Sequence, residues 1–402
     1  MRRVVITGMS MVCSLGTNHE KVFERLCSRE KVIVPIDRSN GSFDNIKTLY
    51  YTPAAKLDEE KHNDKLRQIK KKAPKLIYYT AYTALEALED AGLDTPDDDT
   101  SVIIGCSVPL ADGIFETYDE MRSKGRINLM TIPSFMDNSP ASWLAVTLGV
   151  HGRSSIVSSA CASGTESIGK AYETIMSDKS DVVICGGCDN LRDKEWIILK
   201  GFENLKVVSQ DKDGCSYPFS DERTGFLYSE GAVAILVLEE LEHALKRNAR
   251  IYAEITGFEQ NCDGYSIIAM PENGEYISTM LKKLVGNKKV DYYNAHGTGT
   301  KLNDMAEANA VRNVFGKCSD QPVINSTKAF LGHTISASGA IEAIVCVDSI
   351  CHNKVHGNMC KTVFNDLNYT QETREMQINC AVSASFGFGG HNAAIMIERY
   401  KE

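Results

Sequence analysis

The stretch SSACASGTES, residues 158–167, sets one cysteine, Cys161, among serines, alanines and a glycine directly before an amphipathic segment. A thiol at the N-terminus of a helix has the chemistry of a nucleophile. Unpaired backbone N–H groups and the helix dipole favour its thiolate, lowering the pKa and raising the attacking fraction at neutral pH. The small neighbours Ala160, Ala162, Ser163 and Gly164 let backbone and substrate come close. Taken alone, a cysteine is more often a small buried apolar residue. Two other stretches hold groups that can work beside a thiol. NAHGTGTKLND puts His296 in a glycine- and threonine-rich loop behind an apolar run, and STKAFLGHTISASG sets Lys328 and His333 around another. A lone histidine is usually a core or surface residue. Here both lie at the ends of apolar runs among small residues, where open α/β sheets bind ligands.

The elements that must position these groups alternate along the chain. Apolar, β-branched runs at 3–8, 101–105, 154–160 and 181–187 are separated by helical patterns near 18–27, at 74–91 and from about 163. Continuous strand runs between helices imply a sheet buried on both faces, and therefore an α/β protein. Helix 74–91 starts at Pro74, keeps Ile77, Ala81, Leu85 and Leu88 near one face, and stops before Gly92. In the helix after Cys161, the residues Ile168, Ala171, Tyr172 and Ile175 suit a core-facing stripe. The alternation restarts with VDYYNAHG (290–297), a helix near 304–314, PVINSTK, a helix near 337–353 and two closing strands. Two successive halves follow, 1–245 carrying Cys161 and 246–402 carrying the histidines, with no low-complexity linker between them.

Composition narrows the class. A chain of 402 residues with 43% hydrophobic content can bury a large core, and a net charge of −9 argues against a general nucleic-acid binder. The N-terminus turns polar too early for a signal peptide, and no 18-residue apolar run suggests a membrane span, so a soluble, cytoplasmic protein is expected. Thirteen cysteines without framework spacing read as reduced thiols. The one CxxC, Cys185 to Cys188, lacks a second ligand pair and is read as tight packing of small residues, with no metal.

Taken together, RVVITG…SLG, SSACASG, YPFSDERTGFLYSEGAVAILVLE, NAHGTGTKLND, STKAFLGHT, SASGAIEA and SFGFGGHNAA span essentially the whole chain in one order. The sequence resembles the elongating β-ketoacyl-[acyl carrier protein] synthases, condensing enzymes of the thiolase superfamily. That resemblance implies a thiolase-like five-layered αβαβα fold from two similar halves, as a dimer. It implies that Cys161 accepts the acyl chain and that His296 and His333 support decarboxylation of the extender. Lys328 would hold and tune the histidines, and Glu342 would anchor it. The backbone N–H groups of Cys161 and Phe388 would stabilise the oxyanion. Thr298 and Thr300 would contact the phosphopantetheine arm, and Phe388, between Gly387 and Gly389, would gate the tunnel. Asp304 and Glu307 resemble the family's structural acidic pair and equally suit first-turn acids, so they stand outside the catalytic set.

Partners follow from the same resemblance. Substrates would arrive on the phosphopantetheine of an acyl carrier protein, with no bound cofactor. Lys71, Lys72, Arg126 and Lys206 would form the basic patch facing that acidic carrier. Phe135, Met136 and Asp137 would line the acyl pocket across the dimer. His333 stands where initiating synthases carry asparagine, and SASFGFGG offers no second thiolase cysteine, so decarboxylative Claisen condensation with malonyl-carrier is preferred. Type II fatty acid or polyketide and polyene synthesis is the expected setting. The alternative is the catalytic subunit of a heterodimer with a chain-length-factor partner; Cys161 argues against a non-catalytic partner itself. DGYSIIAM (263–270), PSFMDNSP (133–140) and Glu166 depart from the fatty-acid pattern, which suggests a short or polar acyl chain.

Overall fold

Residues 2–37, 45–108, 111–193, 195–360 and 362–402 are described by a computed structural model. Its main sheet has ten strands: β1 (Val4–Val12), β2 (Ser101–Gly105), β3 (Ser154–Val157), β4 (Val182–Asn190), β5 (Gly231–Glu240), β6 (Ala253–Cys262), β7 (Tyr292–Asn294), β8 (Val323–Asn325), β9 (Cys380–Gly387) and β10 (His391–Glu398). Their order is β8-β7-β9-β10-β6-β1-β5-β4-β2-β3. On one side β3, β2 and β4 run parallel and β5 and β1 antiparallel; on the other β8, β7 and β9 run parallel and β10 and β6 antiparallel. The two sides meet through the short pairing of Val4–Ile6 with Ala253–Ile255.

Six helices build the other layers: α1 (Lys75–Asp90), α2 (Ser139–Leu148), α3 (Ser163–Met176), α4 (Glu275–Val285), α5 (Lys301–Phe315) and α6 (Ser336–His352). α1 and α2 cover the outer face of the first five strands; α4 covers the second set, and α5 packs beside α4 in the core cluster that includes Tyr293 and Ile324. α3 and α6 pack on each other and on strands of both sets, which makes them the central layer of an αβαβα stack. This position explains their composition. α6 is buried at every residue from Ser336 to Ile350, as a helix between two sheets must be, and its two buried acids are each paired, Glu342 with Lys328 and Asp348 with His19. α1 instead buries one broad face, including Ile77, Ala81, Leu85 and Leu88, against the sheet.

The strands β1, β4 and β5 are buried along their full length, which matches their unbroken apolar runs. Within β4, Cys185 enters the core on one face and Cys188 the core on the other, so the CxxC pair cannot share a ligand. Gly187 of the same strand is needed for close approach: a Cβ there would lie 2.3 Å from the carbonyl oxygen of Ser336. This glycine therefore lets the first turn of α6 sit directly on the sheet.

Candidate active site

Cys161 lies where β3 gives way to α3, in a single 3₁₀ turn, Ala160–Ala162. The residue before it, Ala160, has φ +50°, a left-handed conformation unusual for a residue with a Cβ. Three hydroxyl bonds hold that turn. The Ala160 carbonyl accepts from Ser107 Oγ at 3.0 Å and Ser163 Oγ at 2.7 Å, and Ser159 N donates to Ser163 Oγ at 2.9 Å. Gly387 makes room from the other side, since a Cβ there would lie 2.6 Å from the Ser159 carbonyl oxygen. The backbone N–H groups of Phe388 and of Cys161 itself lie near the sulfur, where they favour its thiolate.

The thiol does not rest as the thiolate that its place before a helix suggests. Burial pushes Cys161 up to about 12; the Lys328 charge and the two backbone N–H groups pull it down, and Asp189 adds to the rise. Desolvation of the buried sulfur outweighs the local effect of the helix end.

His333 Nε2 stands 3.2 Å from Cys161 Sγ. Its other nitrogen, Nδ1, accepts the Ile335 backbone N–H at 3.3 Å and meets Ser338 Oγ at 3.0 Å. An N–H aimed at Nδ1 assigns the proton to Nε2, the nitrogen that faces the sulfur. The His296 ring lies across His333, with centroids 5.4 Å apart at 82°. One donor atom from each of Cys161, His296 and His333 falls within 4.8 Å of the others. Burial first, and the Lys328 charge second, hold both imidazoles well below the usual histidine range, so they are neutral N–H donors at neutral pH. Lys328 itself is buried and ion-paired with Glu342 on α6. The burial of that glutamate raises it to about 7 against the pull of the lysine.

Glu307 and Asp304 shape the histidine loop from α5. Glu307 accepts the backbone N–H of His296 and of Gly297, each at 2.8 Å, and Asp304 accepts those of Gly299 at 3.1 Å and Phe219 at 2.7 Å. Burial lifts Glu307 to about 7 and Asp304 to about 6. They bind backbone and do not line the cavity; of the two only Asp304 lies in the first turn of α5.

Cys161, His296 and His333 open onto one cavity of about 480 Å³, whose wall includes Thr298, Thr300 and Phe388. The two threonine hydroxyls lie 2.9 Å apart. Lys206, exposed, stands on the same wall. The DGYSIIAM segment clasps the glycine loop after Phe388: Gly389 N donates to the Ile267 carbonyl at 2.8 Å and Asp263 N to that of Gly390 at 2.8 Å. Ile268 and Met270 of that segment line the cavity with apolar surface. Phe135, Met136 and Asp137 do not line this cavity within one chain; Phe135 is half-buried against the core beneath α1, and Met136 and Asp137 face outward. Lys71, Lys72 and Arg126 are exposed and away from the cavity wall.

Comparison with known proteins matches the whole chain. The family described as "Beta-ketoacyl synthase, N-terminal domain" matches residues 1–244, and "Beta-ketoacyl synthase, C-terminal domain" matches residues 252–360. The 3-oxoacyl-[acyl-carrier-protein] synthase 1 of Haemophilus influenzae is 32% identical over 417 residues, covering 100% of both chains. The 3-oxoacyl-[acyl-carrier-protein] synthase 2 of Staphylococcus aureus is 32% identical over 421 residues, covering 100% of this chain and 99% of its own. Among solved structures, a β-ketoacyl synthase from Burkholderia phymatum superposes with TM-score 0.88 at 28% identity, covering 100% of each chain. A type II polyketide ketosynthase in complex with its acyl-carrier protein gives TM-score 0.88 at 26% identity, over 99% of this chain and 100% of that one.

Proposed function

The chain belongs to the β-ketoacyl synthase family, and from that premise we propose how its residues divide the work of a condensing acyltransferase. The carrying observation is the Cys161 sulfur held 3.2 Å from His333 Nε2, with two backbone N–H groups aimed at the same atom. In the first step Cys161 Sγ attacks the thioester carbon of an acyl-carrier protein. The new S–C bond replaces the carrier's, and the proton lost from Cys161 ends on the departing pantetheine thiol. The oxyanion formed in between faces the N–H groups of Cys161 and Phe388.

In the second step a malonyl-carrier enters the same cavity. Its C–CO₂ bond breaks, carbon dioxide leaves, and the electron pair becomes an enolate whose oxygen takes the N–H bonds of His296 and His333. The enolate carbon attacks the acyl carbon on Cys161, the C–S bond breaks, and the released thiolate takes a proton. The product is a β-ketoacyl-carrier. Neutral imidazoles suit this role, because a hydrogen-bond donor stabilises the developing charge without protonating the carbanion. Lys328 with Glu342 tunes the pair, Thr298 and Thr300 meet the pantetheine amides, and Phe388 gates the exchange of substrates on a loop with positive φ at Gly389 and Gly390.

The setting of this reading is type II synthesis of fatty acids or polyketides in the cytoplasm, with no bound cofactor, on carriers that dock through Lys71, Lys72, Arg126 and Lys206. Thirteen free thiols suit a reducing compartment, and among the described residues no helix is long and apolar enough to cross a membrane. The domain boundary falls at 245/246, between the two mirrored sets of strands. A second ketosynthase-like chain covers the exposed apolar residues Ile114, Tyr118 and Met121, spaced along one helix face, with Leu129 at 92% exposure beyond them. There Phe135, Met136 and Asp137 of one chain would close the acyl pocket of the other.

Mass spectrometry of the protein incubated with a panel of acyl-carrier thioesters tests this reading. An acyl mass on Cys161, absent from Cys161→Ala, is the expected result. No acyl adduct on Cys161 from any carrier overturns it.

A further inference from the structure

Asp189, near the end of β4, is a carboxylate 1% exposed that makes no ion pair among the described residues. Its partners are donors from two distant segments. Oδ1 accepts the backbone N–H of Val108 at 3.0 Å and of Ser107 at 3.3 Å, with the Cys106 thiol at 3.6 Å. Oδ2 accepts the backbone N–H of Ser336, the first residue of α6, at 2.8 Å. A buried carboxyl satisfied only by neutral donors is uncommon and calls for a reason: burial raises it, and the donors on both oxygens pull it back toward the carboxylate.

Each arm of this carboxylate leads to one catalytic group through a strained residue. Ser107, held by Oδ1, donates its hydroxyl to the Ala160 carbonyl at 3.0 Å, and Ala160, at φ +50°, precedes Cys161. Ser336, held by Oδ2, follows Ile335, at φ +52° and ψ −109°, whose N–H bonds His333 Nδ1 and sets its tautomer. The two arms also join each other, because Ser336 Oγ donates to Ser107 Oγ at 2.8 Å. A β-branched residue at positive φ persists only where its surroundings over-determine it.

We infer that Asp189 is a positioning residue that sets the Cys161 turn in register with the His333 loop, by fixing Ala160 and Ile335 from a single buried carboxylate. The inference rests on reading Cys161 and His333 as reaction partners. Asp189 also acts through charge. The groups that face Cys161 are Lys328, Asp189, the neutral rings of His333 and His296, and the N–H groups of Phe388 and Cys161; of these Asp189 alone opposes the thiolate.

The test is the pair Asp189→Asn and Ser107→Ala, read by kcat for elongation and by the rate of Cys161 alkylation with iodoacetamide at pH 8. In Asp189→Asn the amide cannot accept on both arms and its charge is gone. Elongation kcat falls about a hundredfold with KM for the acyl-carrier unchanged, as a displacement of about 1 Å does. Cys161 alkylation instead rises about three- to tenfold, because the opposing charge has been removed. Ser107→Ala keeps the charge and cuts one arm: kcat falls about tenfold while alkylation stays within about twofold. A merely structural aspartate would lower both rates together. Asp189→Asn with wild-type kcat, or with alkylation no faster than wild type, overturns the inference. Should circular dichroism show Asp189→Asn unfolded, wild-type kcat in Ser107→Ala overturns it instead. The alkylation readout needs no acyl substrate, so it stands apart from any failure of acyl capture by the wild-type protein.

Discussion

Alkylation of Cys161 as a function of pH distinguishes two accounts of how this nucleophile is activated. If the helix N-terminus decides, the sulfur is a thiolate near neutrality and alkylation reaches a plateau at or below pH 8. If burial decides, as the thiol raised to about 12 requires, the ionised fraction at pH 7.5 is on the order of 10⁻⁴ to 10⁻⁵. The rate should then climb about tenfold per pH unit from pH 6 to pH 10 with no plateau. The assay is iodoacetamide labelling at each pH, stopped and read by peptide mass spectrometry, with the exposed Cys262 as a reference in the same molecule. Lys328→Met should slow Cys161 labelling further, since the lysine is the largest influence favouring the thiolate. A plateau below pH 8 refutes the burial account. Its success would mean that the thiol proton leaves during attack on the thioester, beside His333 and the oxyanion donors, and not before it.

Other substitutions separate the two half-reactions. Cys161→Ala should fold and lose elongation, while Cys161→Gln, which resembles the acylated side chain, should still release carbon dioxide from malonyl-carrier; elongation by either variant counts against the nucleophile. His296→Ala and His333→Ala should each slow that release by about 10²- to 10³-fold, and unchanged carbon dioxide evolution removes them from the site. Charge reversal at Lys71 and Lys72 should raise KM for the acyl-carrier severalfold at low salt, with the effect shrinking as salt is added and absent for small thioester mimics. Equal losses on both substrates would end the patch assignment. Glu307→Gln tests linkage. With the folded pKa raised to about 7, the wild-type glutamate keeps its proton in the native state above pH 4.5, so its contribution to stability is lost as pH rises through 7. Urea unfolding at pH 5 and pH 8 should show the wild type losing about 3 kcal/mol that the glutamine variant retains. Parallel behaviour of the two proteins would contradict this.

The features legible in the sequence were those set by neighbours along the chain. Unbroken apolar runs announced β1, β2 and β4, and the stripe Ile168, Ala171, Tyr172, Ile175 announced α3; all four of those residues pack on the core, Tyr172 in part. Cys161, His296 and His333 were found because each sits in a stretch of small residues behind an apolar run, a pattern that motif order then reinforced; a short helix, Lys328–Leu331, separates His333 from the strand before it. Where a property depended on distant segments, the chain gave little sign of it. Asp189 is one acid among 53 acidic residues, and its partners stand 81 and 147 positions away. Nothing local marks Ala160 or Ile335 as residues at positive φ. The state of the Cys161 sulfur shows the same division most sharply. A helix end is a local signal and argues for a thiolate, whereas burial is the sum of everything packed around the sulfur after folding, and the second outweighs the first. A nucleophile kept protonated until substrate arrives is protected from stray alkylation and oxidation, since the thiolate is the reactive form. Its reactivity must then come from groups already in place, which is why the register between the Cys161 turn and the His333 loop matters more here than the pKa of the sulfur alone.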